Sequence, residues 1–216
     1  MKIYRTVLYL YQIYNSMLEI VSKAERTKQF IIEKTATVFN KKGFAGTSLT
    51  DLTNATGLTK GSIYGNFENK DDVALAVFDY NFNQVTEYIK NRILPTENAI
   101  ERLLVYPDVY RNYLKIPFLE AGCPILNTST EADDTHPELR KKAKNALDFW
   151  KQSLINQIMR GIERGEINEN TNPAEIAVIL MSLIEGAFMQ AKVTGRLTEL
   201  NIAMDFLEKI ILNLRK

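Results

Sequence analysis

The sequence is poor in cysteine, proline and glycine, with one Cys, six Pro and ten Gly among 216 residues. The single cysteine, Cys123, excludes a disulfide within the chain and fits a reducing compartment. No uninterrupted apolar run approaches the roughly 20 residues that span a bilayer, and no segment shows a repeat or a sustained strand alternation. The remaining periodicity is helical, so we expect an all-α protein of one or two domains in the cytoplasm, away from membranes.

Signatures of catalysis and of metal binding are also missing. The sequence has no phosphate-binding loop, dinucleotide fingerprint, nucleophile elbow or cysteine pairs with zinc spacing. The only histidine, His136, follows Glu131, Asp133 and Asp134, an arrangement more typical of helix capping than of a metal site. Cys123 is expected to be a packed thiol rather than a redox sensor. We therefore expect no enzyme, no cofactor and no metal ion.

Charge is distributed unevenly, although the whole chain carries only +1. Residues 22–70 contain eight Lys or Arg and four Asp or Glu, a net charge of +4. Residues 1–21 carry +1, which leaves −4 for residues 71–216. A basic front and an acidic back suit a protein that meets a polyanion with one end. Chance clustering on solvated helix faces would give the same pattern.

Residues 1–21 differ from the rest because Lys2 and Arg5 precede a short apolar run. This start resembles a secretory signal, but the run is short and no small-residue cleavage site follows it. Three interpretations stay open: a start-site error with translation from Met17, an extra helix packed on the body, or weak membrane attachment.

Residues 22–70 predict three consecutive helices. A capping box at Ser22 begins the first helix, and Gly43 ends it. Gly57 ends a second, shorter helix, and Thr59 caps a third. Two short helices joined by a turn with glycine are typical of a helix-turn-helix, whose second helix enters the DNA major groove.

The predicted second helix of this motif contains glycine at positions 61 and 65, which share one face. Each glycine costs about 1 kcal/mol of helix stability relative to alanine, so a reason is needed. Missing side chains would let the backbone approach bases or phosphates. Hydrogen-bond donors surround the two glycines on Thr59, Lys60, Ser62 and Tyr64. Close packing against another protein helix is the alternative.

Residues 23–78 resemble the N-terminal domain of the tetracycline-repressor-like (TetR) transcription regulators. The similarity rests on Gly43-Phe44, Thr47-Ser48-Leu49, Gly57-Leu58, Ile63-Tyr64, Phe67 and Lys70. It implies an all-helical homodimer that binds a near-palindromic double-stranded DNA operator, usually as a repressor that a small ligand releases. The resemblance places DNA contacts at Thr47, Thr59, Lys60, Gly61, Ser62, Tyr64 and Lys70. Asn66 departs from the histidine or tyrosine that is common in the family.

Residues 71–216 resemble the family in architecture and in one short sequence motif. Gly122-Cys123-Pro124, followed by Asn127 and Glu131, is similar to a segment of one branch of these regulators, which by analogy lies near the ligand cavity. Such a cavity would take a small apolar or amphipathic molecule. Its expected walls are Tyr106, Tyr110, Tyr113, Phe118, Phe149, Trp150 and Phe188, together with Cys123.

The last two helices, about residues 173–193 and 197–214, are expected to form a four-helix bundle with those of a second subunit. Gly186 would permit close crossing of helices. The expected interface residues are Ile179, Leu183, Gly186, Met204, Leu207 and Ile211. Core packing within one subunit would produce the same sequence pattern.

The sequence thus predicts a helix-turn-helix domain over residues 22–70 and a larger ligand-binding and dimerisation domain over residues 71–216, about nine helices in all. Pro107 should kink or split one of them, and the helix from Lys70 is the expected hinge. The predicted function is a sequence-specific DNA-binding regulator, most simply a dimeric, ligand-released repressor. A helical carrier or enzyme with a vestigial motif, and a DNA binder without a ligand, are the alternatives.

Overall fold

The structure, a computed structural model, describes residues 23–216, and the expectations for residues 1–21 and for the cap at Ser22 lie outside this range. Within it the chain forms ten α-helices and no strand, which confirms the all-α prediction. The helices are α1 (Lys23–Gly46), α2 (Leu49–Thr56), α3 (Lys60–Tyr64), α4 (Lys70–Ile93), α5 (Ala99–Arg111), α6 (Pro117–Glu120), α7 (Pro124–Ala132), α8 (Pro137–Glu163), α9 (Pro173–Thr194) and α10 (Thr198–Leu212). A 3-10 turn, Tyr113–Lys115, separates α5 from α6.

The first three helices form a small unit around a shared apolar core. Ile31 of α1, Leu52 of α2 and Ile63 of α3 are completely buried. Burying one such side chain contributes about 1.5–3 kcal/mol, which fixes the three helices against one another. The regular part of α1 ends at Gly43, whose φ of 71° is readily adopted only by glycine, as the sequence predicts.

The long helix α4 connects this unit to the rest of the chain. It packs against α1, α5 and α8. Of the two outcomes expected at Pro107, a split helix is wrong, because α5 continues through that buried proline to Arg111. The proline-containing stretch after α5 folds into the short helices α6 and α7, and its apolar centre is buried.

Helix α9 is long and apolar enough to cross a membrane by length and composition alone, with a mean hydropathy of 1.6. The sequence shows no uninterrupted apolar run here because Glu185 lies within the segment. The helix packs against α8 and α10, and it buries Ala177, Leu180 and Ile184. One side of the helix is therefore packed within its own subunit, and 39% of the apolar segment is buried.

Candidate DNA-binding surface and ligand cavity

Helices α2 and α3 are joined by a short turn with left-handed geometry. Gly57 adopts φ 69° and ψ 8°, and its backbone N–H donates to the carbonyl of Thr53 at 2.8 Å. Ser48 and Asp51 form a capping box at the start of α2. Together with buried Leu52 and Ile63, these bonds hold α3 in a fixed orientation.

The N-terminal end of α3 is an open surface. Thr59 caps the helix by accepting from the backbone N–H of Ser62 at 3.2 Å. Thr59, Lys60 and Gly61 are all exposed. A Cβ added to Gly61 would meet nothing nearer than the Thr59 hydroxyl at 4.0 Å. Lys60 forms no ion pair with any residue between 23 and 216. The backbone and the Lys60 ammonium are therefore free to meet a ligand.

Gly65 has a different environment from Gly61. It follows α3 with an ordinary right-handed φ of −77°. A Cβ there would lie 3.1 Å from the carbonyl oxygen of Gly61, so the chain itself favours glycine at this position. Tyr64 is half-buried beside it, and the Asn66 side-chain amide donates to the Ser62 carbonyl at 2.8 Å. Of these two glycines, only Gly61 lies at a position where the packing of residues 23–216 would also accept a side chain.

Two expected DNA-contacting side chains are placed inside the unit. Thr47 is buried, and its hydroxyl donates to the carbonyl of Gly43 at 2.6 Å. The Lys70 ammonium donates to the carbonyls of Phe44 at 2.8 Å and Thr47 at 3.0 Å, and it lies 4.1 Å from the centre of the Phe44 ring. Both side chains are therefore occupied in positioning the turn before α2, and their expected contacts with DNA stay predictions.

Sequence reasoning missed a cation beside the candidate surface. The ammonium of Lys28 on α1 lies 5.2 Å from the centre of the Phe67 ring, directly after α3. Lys42, by contrast, pairs with Asp51 at 2.6 Å. The hydrogen bond from Lys42 and those from Ser48 lower the pKa of Asp51 to about 2. Lys28 therefore lies beside the residues that follow α3, whereas Lys42 is neutralised locally.

A cavity of about 260 Å³ lies between α4, α5, α8 and the start of α7. Its lining residues are Phe82, Val85, Thr86, Ile89, Lys90, Ile93, Arg102, Tyr106, Tyr110, Cys123, Pro124, Ile125, Phe149, Trp150, Ser153, Gln157 and Arg160. The size approaches that of small-molecule sites. Of the expected walls, Tyr106, Tyr110, Cys123, Phe149 and Trp150 are among the lining residues.

The other three expected wall residues lie outside the lining. Phe188 packs edge-on against Tyr110 with ring centres 5.7 Å apart, and against Tyr113 at 4.6 Å. Phe118 packs edge-on against Tyr88 at 5.5 Å. Phe188 therefore supports the cavity wall through Tyr110. An aromatic stripe in the sequence does not reveal which of its rings reaches a cavity.

A buried carboxyl group lies directly behind Cys123. The thiol donates to Glu185 of α9 at 2.9 Å, and the second carboxyl oxygen of Glu185 is buried without a partner among residues 23–216. Burial raises the pKa of Glu185 to about 7. Burial, followed by the charge of Glu185, raises the pKa of Cys123 well above its ordinary value, so the thiolate is disfavoured. Cys123 is thus a packed thiol, as expected.

Residues 122–131, which we call the connecting segment, join the cavity to α1. Cys123 and Pro124 line the cavity at one end. Further along, the Asn127 amide donates to the Asn40 carbonyl at 2.8 Å, and the Asn40 amide donates to the Gly122 carbonyl at 2.8 Å. The motif that begins at Gly122-Cys123-Pro124 therefore contacts both the cavity and the N-terminal unit.

The end of the connecting segment binds the turn after Gly43. The Glu131 carboxylate accepts from the backbone N–H groups of Phe44 and Ala45, both at 2.7 Å. Next to it, Nδ1 of His136 accepts from the backbone N–H of Leu139, which leaves Nε2 to donate to Asp71 at 2.9 Å. His136 therefore caps α8, and within the described residues no group of three or more His, Cys, Asp or Glu is placed to hold a metal ion.

The expected dimer residues divide into two groups. Met204, Leu207 and Ile211 of α10 are completely buried in their own subunit, so they have no surface to offer a partner, contrary to the expectation. Ile179, Leu183 and Gly186 of α9 are half-buried, and a Cβ on Gly186 would point into open space. The sequence pattern could not separate a stripe that packs internally from one that faces outward.

The outer faces of α9 and α10 carry a set of exposed apolar side chains. Its members are Val178, Met189, Val193, Ile202 and Phe206, with exposed fractions from 49% to 82%. We call this set the outer apolar face. Exposed apolar patches of this kind are typical of protein interfaces.

Comparisons with known proteins agree with this architecture. The family described as bacterial regulatory proteins, tetR family, matches residues 31–77, and the tetracyclin repressor-like C-terminal domain matches residues 99–207. The HTH-type transcriptional repressor DhaR of Mycobacterium sp. (strain GP1) is 28% identical over 171 residues, which cover 77% of this chain and 82% of DhaR.

Two crystal structures are also similar. A TetR-family transcriptional regulator from Cytophaga hutchinsonii is 46% identical, with a TM-score of 0.87 over 91% of this chain and 98% of that protein. A TetR transcriptional regulator from Chloroflexus aurantiacus is 35% identical, with a TM-score of 0.84 over 89% of this chain and 98% of that protein.

Proposed function

This chain belongs to the TetR family and is a DNA-binding transcriptional regulator, and we propose that it is a dimeric repressor that a small ligand releases from a near-palindromic operator. In this proposal the protein binds DNA and a ligand without catalysing a reaction, and it acts in the cytoplasm. We further propose that residues 22–70 form the DNA-binding domain and residues 71–216 the ligand-binding and dimerisation domain.

The observation that carries the proposal is the bare N-terminal surface of α3. Thr59, Lys60 and Gly61 are exposed there, and no other side chain from residues 23–216 covers the Gly61 backbone. A recognition helix reads base edges with its N-terminal residues, and close approach is easiest where no side chain intervenes. Lys28 and Lys60 supply positive charge for the flanking phosphates, while Ser62 and Tyr64 line the edge of the surface.

Dimerisation through the outer apolar face would present two copies of α3. The face spans both terminal helices, and Gly186 on it leaves room for a closely packed partner helix. A two-fold dimer places its recognition helices against half-sites about 34 Å apart, one turn of B-DNA. A symmetric operator follows from the symmetry of the protein.

Release by a ligand is supported by two connections between the cavity and the DNA-binding helices. Helix α4 lines the cavity and holds Lys70 against Phe44 at its other end. The connecting segment also lines the cavity and holds Phe44 and Ala45 through Glu131. A ligand that favours a different arrangement of these elements would change the separation of the two α3 helices and release the operator.

Selection of bound duplexes from a random pool tests the DNA-binding proposal. We expect the recovered sequences to be two-fold symmetric. Binding to a recovered duplex should weaken with salt, with a log–log slope of about −0.9 for each phosphate neutralised. Lys60→Ala should weaken binding and reduce that slope by about 1.

Arg164→Ala is the matched control for Lys60→Ala. Arg164 is exposed just beyond the C-terminal end of α8, whose 27 residues give a length of about 40 Å. The start of α8 touches the DNA-binding unit, because the His136 ring packs edge-on against Phe44 with ring centres 4.6 Å apart. The Arg164→Ala variant loses the same charge far from α3, so it should leave the affinity for DNA unchanged. Recovery of no duplex, or of sequences without symmetry, would contradict the proposal.

A further inference from the structure

We propose that the cavity binds an amphipathic anion, a molecule with a flat apolar body and a carboxylate or similar acidic group at one end. This inference rests on the proposed ligand-released repressor, because it names the chemical class of the ligand for the same cavity. The apolar body would lie among the aromatic rings near the connecting segment. The acidic group would lie at the opposite end, beside Arg102.

The cavity has two distinct ends, which are identified by the contacts between residues of α4, α5 and α8. At one end Phe82 of α4 meets Phe149 of α8 with ring centres 5.8 Å apart. Tyr110 of α5 stacks on Trp150 at the same end, with ring centres 5.9 Å apart and planes 13° from parallel. Cys123 also lines this end. A flat apolar group can lie between such rings with favourable stacking geometry.

The other end lies about two turns further along each helix. The Tyr106 hydroxyl accepts from the Gln157 amide at 2.9 Å, and Gly161 lies against Ala99. Arg102 is one turn from Tyr106 on α5, and Arg160 is next to Gly161 on α8. Lys90 is eight residues beyond Phe82 on α4, a distance of about 12 Å along the helix. Three cations from three helices therefore gather at this end of the lining.

Two of the three cations at this end have no acidic partner among residues 23–216. None of the lining residues, all of which belong to the described part of the chain, is acidic. Lys90 pairs with Glu87 at 3.0 Å, outside the lining. Arg102 is half-buried, and its buried Nε has no hydrogen-bond partner among residues 23–216. The side chain of Arg160 has no ion-pair partner among the same residues. A guanidinium binds a carboxylate with two parallel hydrogen bonds, so Arg102 is the expected anchor.

The aromatic end disfavours an anion. The buried carboxyl group of Glu185 lies directly behind Cys123, with one oxygen unpartnered in the part of the chain that the structure describes. An acidic group placed there would lose its hydration and face a second carboxyl group. Only one orientation of an amphipathic anion satisfies both ends, which gives the cavity a directional preference.

Three probes with the same body and different head groups test the inference: phenylbutyric acid, phenylbutanol and phenylbutylamine. Trp150 is the only tryptophan of the chain and lines the cavity, so its fluorescence reports binding directly. We expect the acid to bind at least about tenfold more tightly than the alcohol, the ratio that corresponds to one charged hydrogen bond, and the amine to bind most weakly.

Substitution of Arg102 locates the acidic group. Arg102→Gln should weaken binding of the acid about tenfold and leave binding of the alcohol within about twofold. Arg102→Lys should retain part of the preference for the acid because it keeps the charge without the planar fork. Arg140→Gln, an exposed site near the start of α8, is the control and should change neither. Circular dichroism of each variant establishes that it is folded.

Three outcomes would overturn the inference: equal binding of the alcohol, tightest binding of the amine, or no change of Trp150 fluorescence with any probe at millimolar concentration. The duplex selection is carried out on the same protein preparation. Symmetric duplexes without a preference for the acid would refute the ligand class alone. A preference for the acid without DNA binding would refute the repressor and leave the anion site.

Discussion

The carboxylate of Glu131 accepts a hydrogen bond of 2.7 Å from the backbone N–H of Phe44, 87 positions earlier in the chain. Its other oxygen accepts from Ala45. Both N–H groups follow Gly43, where the regular part of α1 ends. The orientation of the chain as it enters the helix-turn-helix therefore depends on a side chain from the C-terminal region, at the end of a segment that begins at the cavity.

Removal of this carboxylate should destabilise the protein. Glu131→Ala leaves two backbone N–H groups without their charged acceptor, at a cost of about 2 kcal/mol in the free energy of unfolding measured with urea. Asp134→Ala removes a neighbouring exposed acid and should cost much less. Equal stabilities of the two variants would show that Glu131 does not hold the turn.

Gly61→Ala should change stability and DNA binding in opposite directions. Among the described residues, the added methyl group meets only the Thr59 hydroxyl, at 4.0 Å. Alanine favours a helix over glycine by up to about 1 kcal/mol. The melting temperature should therefore stay the same or rise. Operator affinity should fall because the methyl group projects from the surface that approaches DNA. An alanine variant that binds DNA as tightly as the wild type would exclude close approach at this position.

Lys70 and Lys60 should behave differently although both belong to the expected DNA contacts. Lys70→Met removes an ammonium that donates to two half-buried carbonyl groups, and it should lower the free energy of unfolding by about 1.5–3 kcal/mol. Lys60→Met alters an exposed side chain and should leave stability within about 0.5 kcal/mol. Urea unfolding of both variants measures the difference. A Lys70 variant of unchanged stability would show that its two hydrogen bonds do not hold the turn.

The buried carboxyl group of Glu185 should make stability fall as pH rises. Its pKa is raised from 4.5 to about 7 in the folded protein, so the folded state holds a proton that the unfolded state has already lost. The contribution is fully present below pH 4.5 and disappears between there and about pH 7, with an upper value of about 3 kcal/mol. Tyr110 and Cys123, which face the group, stay protonated in this interval because burial raises the pKa of each.

Glu185→Gln tests this pH dependence. The variant should resemble the wild type at pH 5 and be more stable than it at pH 8, as measured by thermal unfolding. Glu169→Gln changes an exposed carboxyl group and should leave the wild-type pH profile intact. A wild-type profile that rises with pH across this interval would mean that Glu185 ionises normally.

Phe206→Glu should dissociate the dimer and leave each subunit folded. The side chain is 55% exposed on the outer apolar face, so a charge there costs little in a monomer and much in an interface. Sedimentation equilibrium should show a shift to the monomer, accompanied by loss of operator binding. Leu94→Glu makes a similar change at an exposed apolar residue outside this face and should remain dimeric. A Phe206 variant that stays dimeric would place the interface elsewhere.

Local signals in the sequence predicted most of the fold. Gly57 ends α2 and Thr59 caps α3 as expected, since these roles depend on neighbouring backbone groups alone. Pro107 did not interrupt α5, because tertiary packing around a buried proline outweighs its local preference. Periodicity could not assign Met204 and Leu207 to the core, because an internal stripe and an interface stripe repeat with the same period.

Long-range contacts limit what the sequence reveals about the site. The donors at Thr59 and Lys60 are found from their place in the motif, whereas the internal role of Lys70 depends on carbonyl groups 23 and 26 residues away. Similarly, Arg102 and Arg160 gather at one end of the cavity only because α5 and α8 pack together. No local pattern reports such a juxtaposition.

The hydrogen bonds between Asn40 and the connecting segment have a practical consequence for building hybrid sensors. A chimera that joins these DNA-reading helices to the effector half of a relative would cut the chain after α3, yet the two halves also touch through Asn40, Gly122 and Asn127. A foreign effector half without the matching asparagine would leave the first helix loosely held, and its signal would reach the operator weakly. Grafting residues 122–131 along with the first four helices should restore the response.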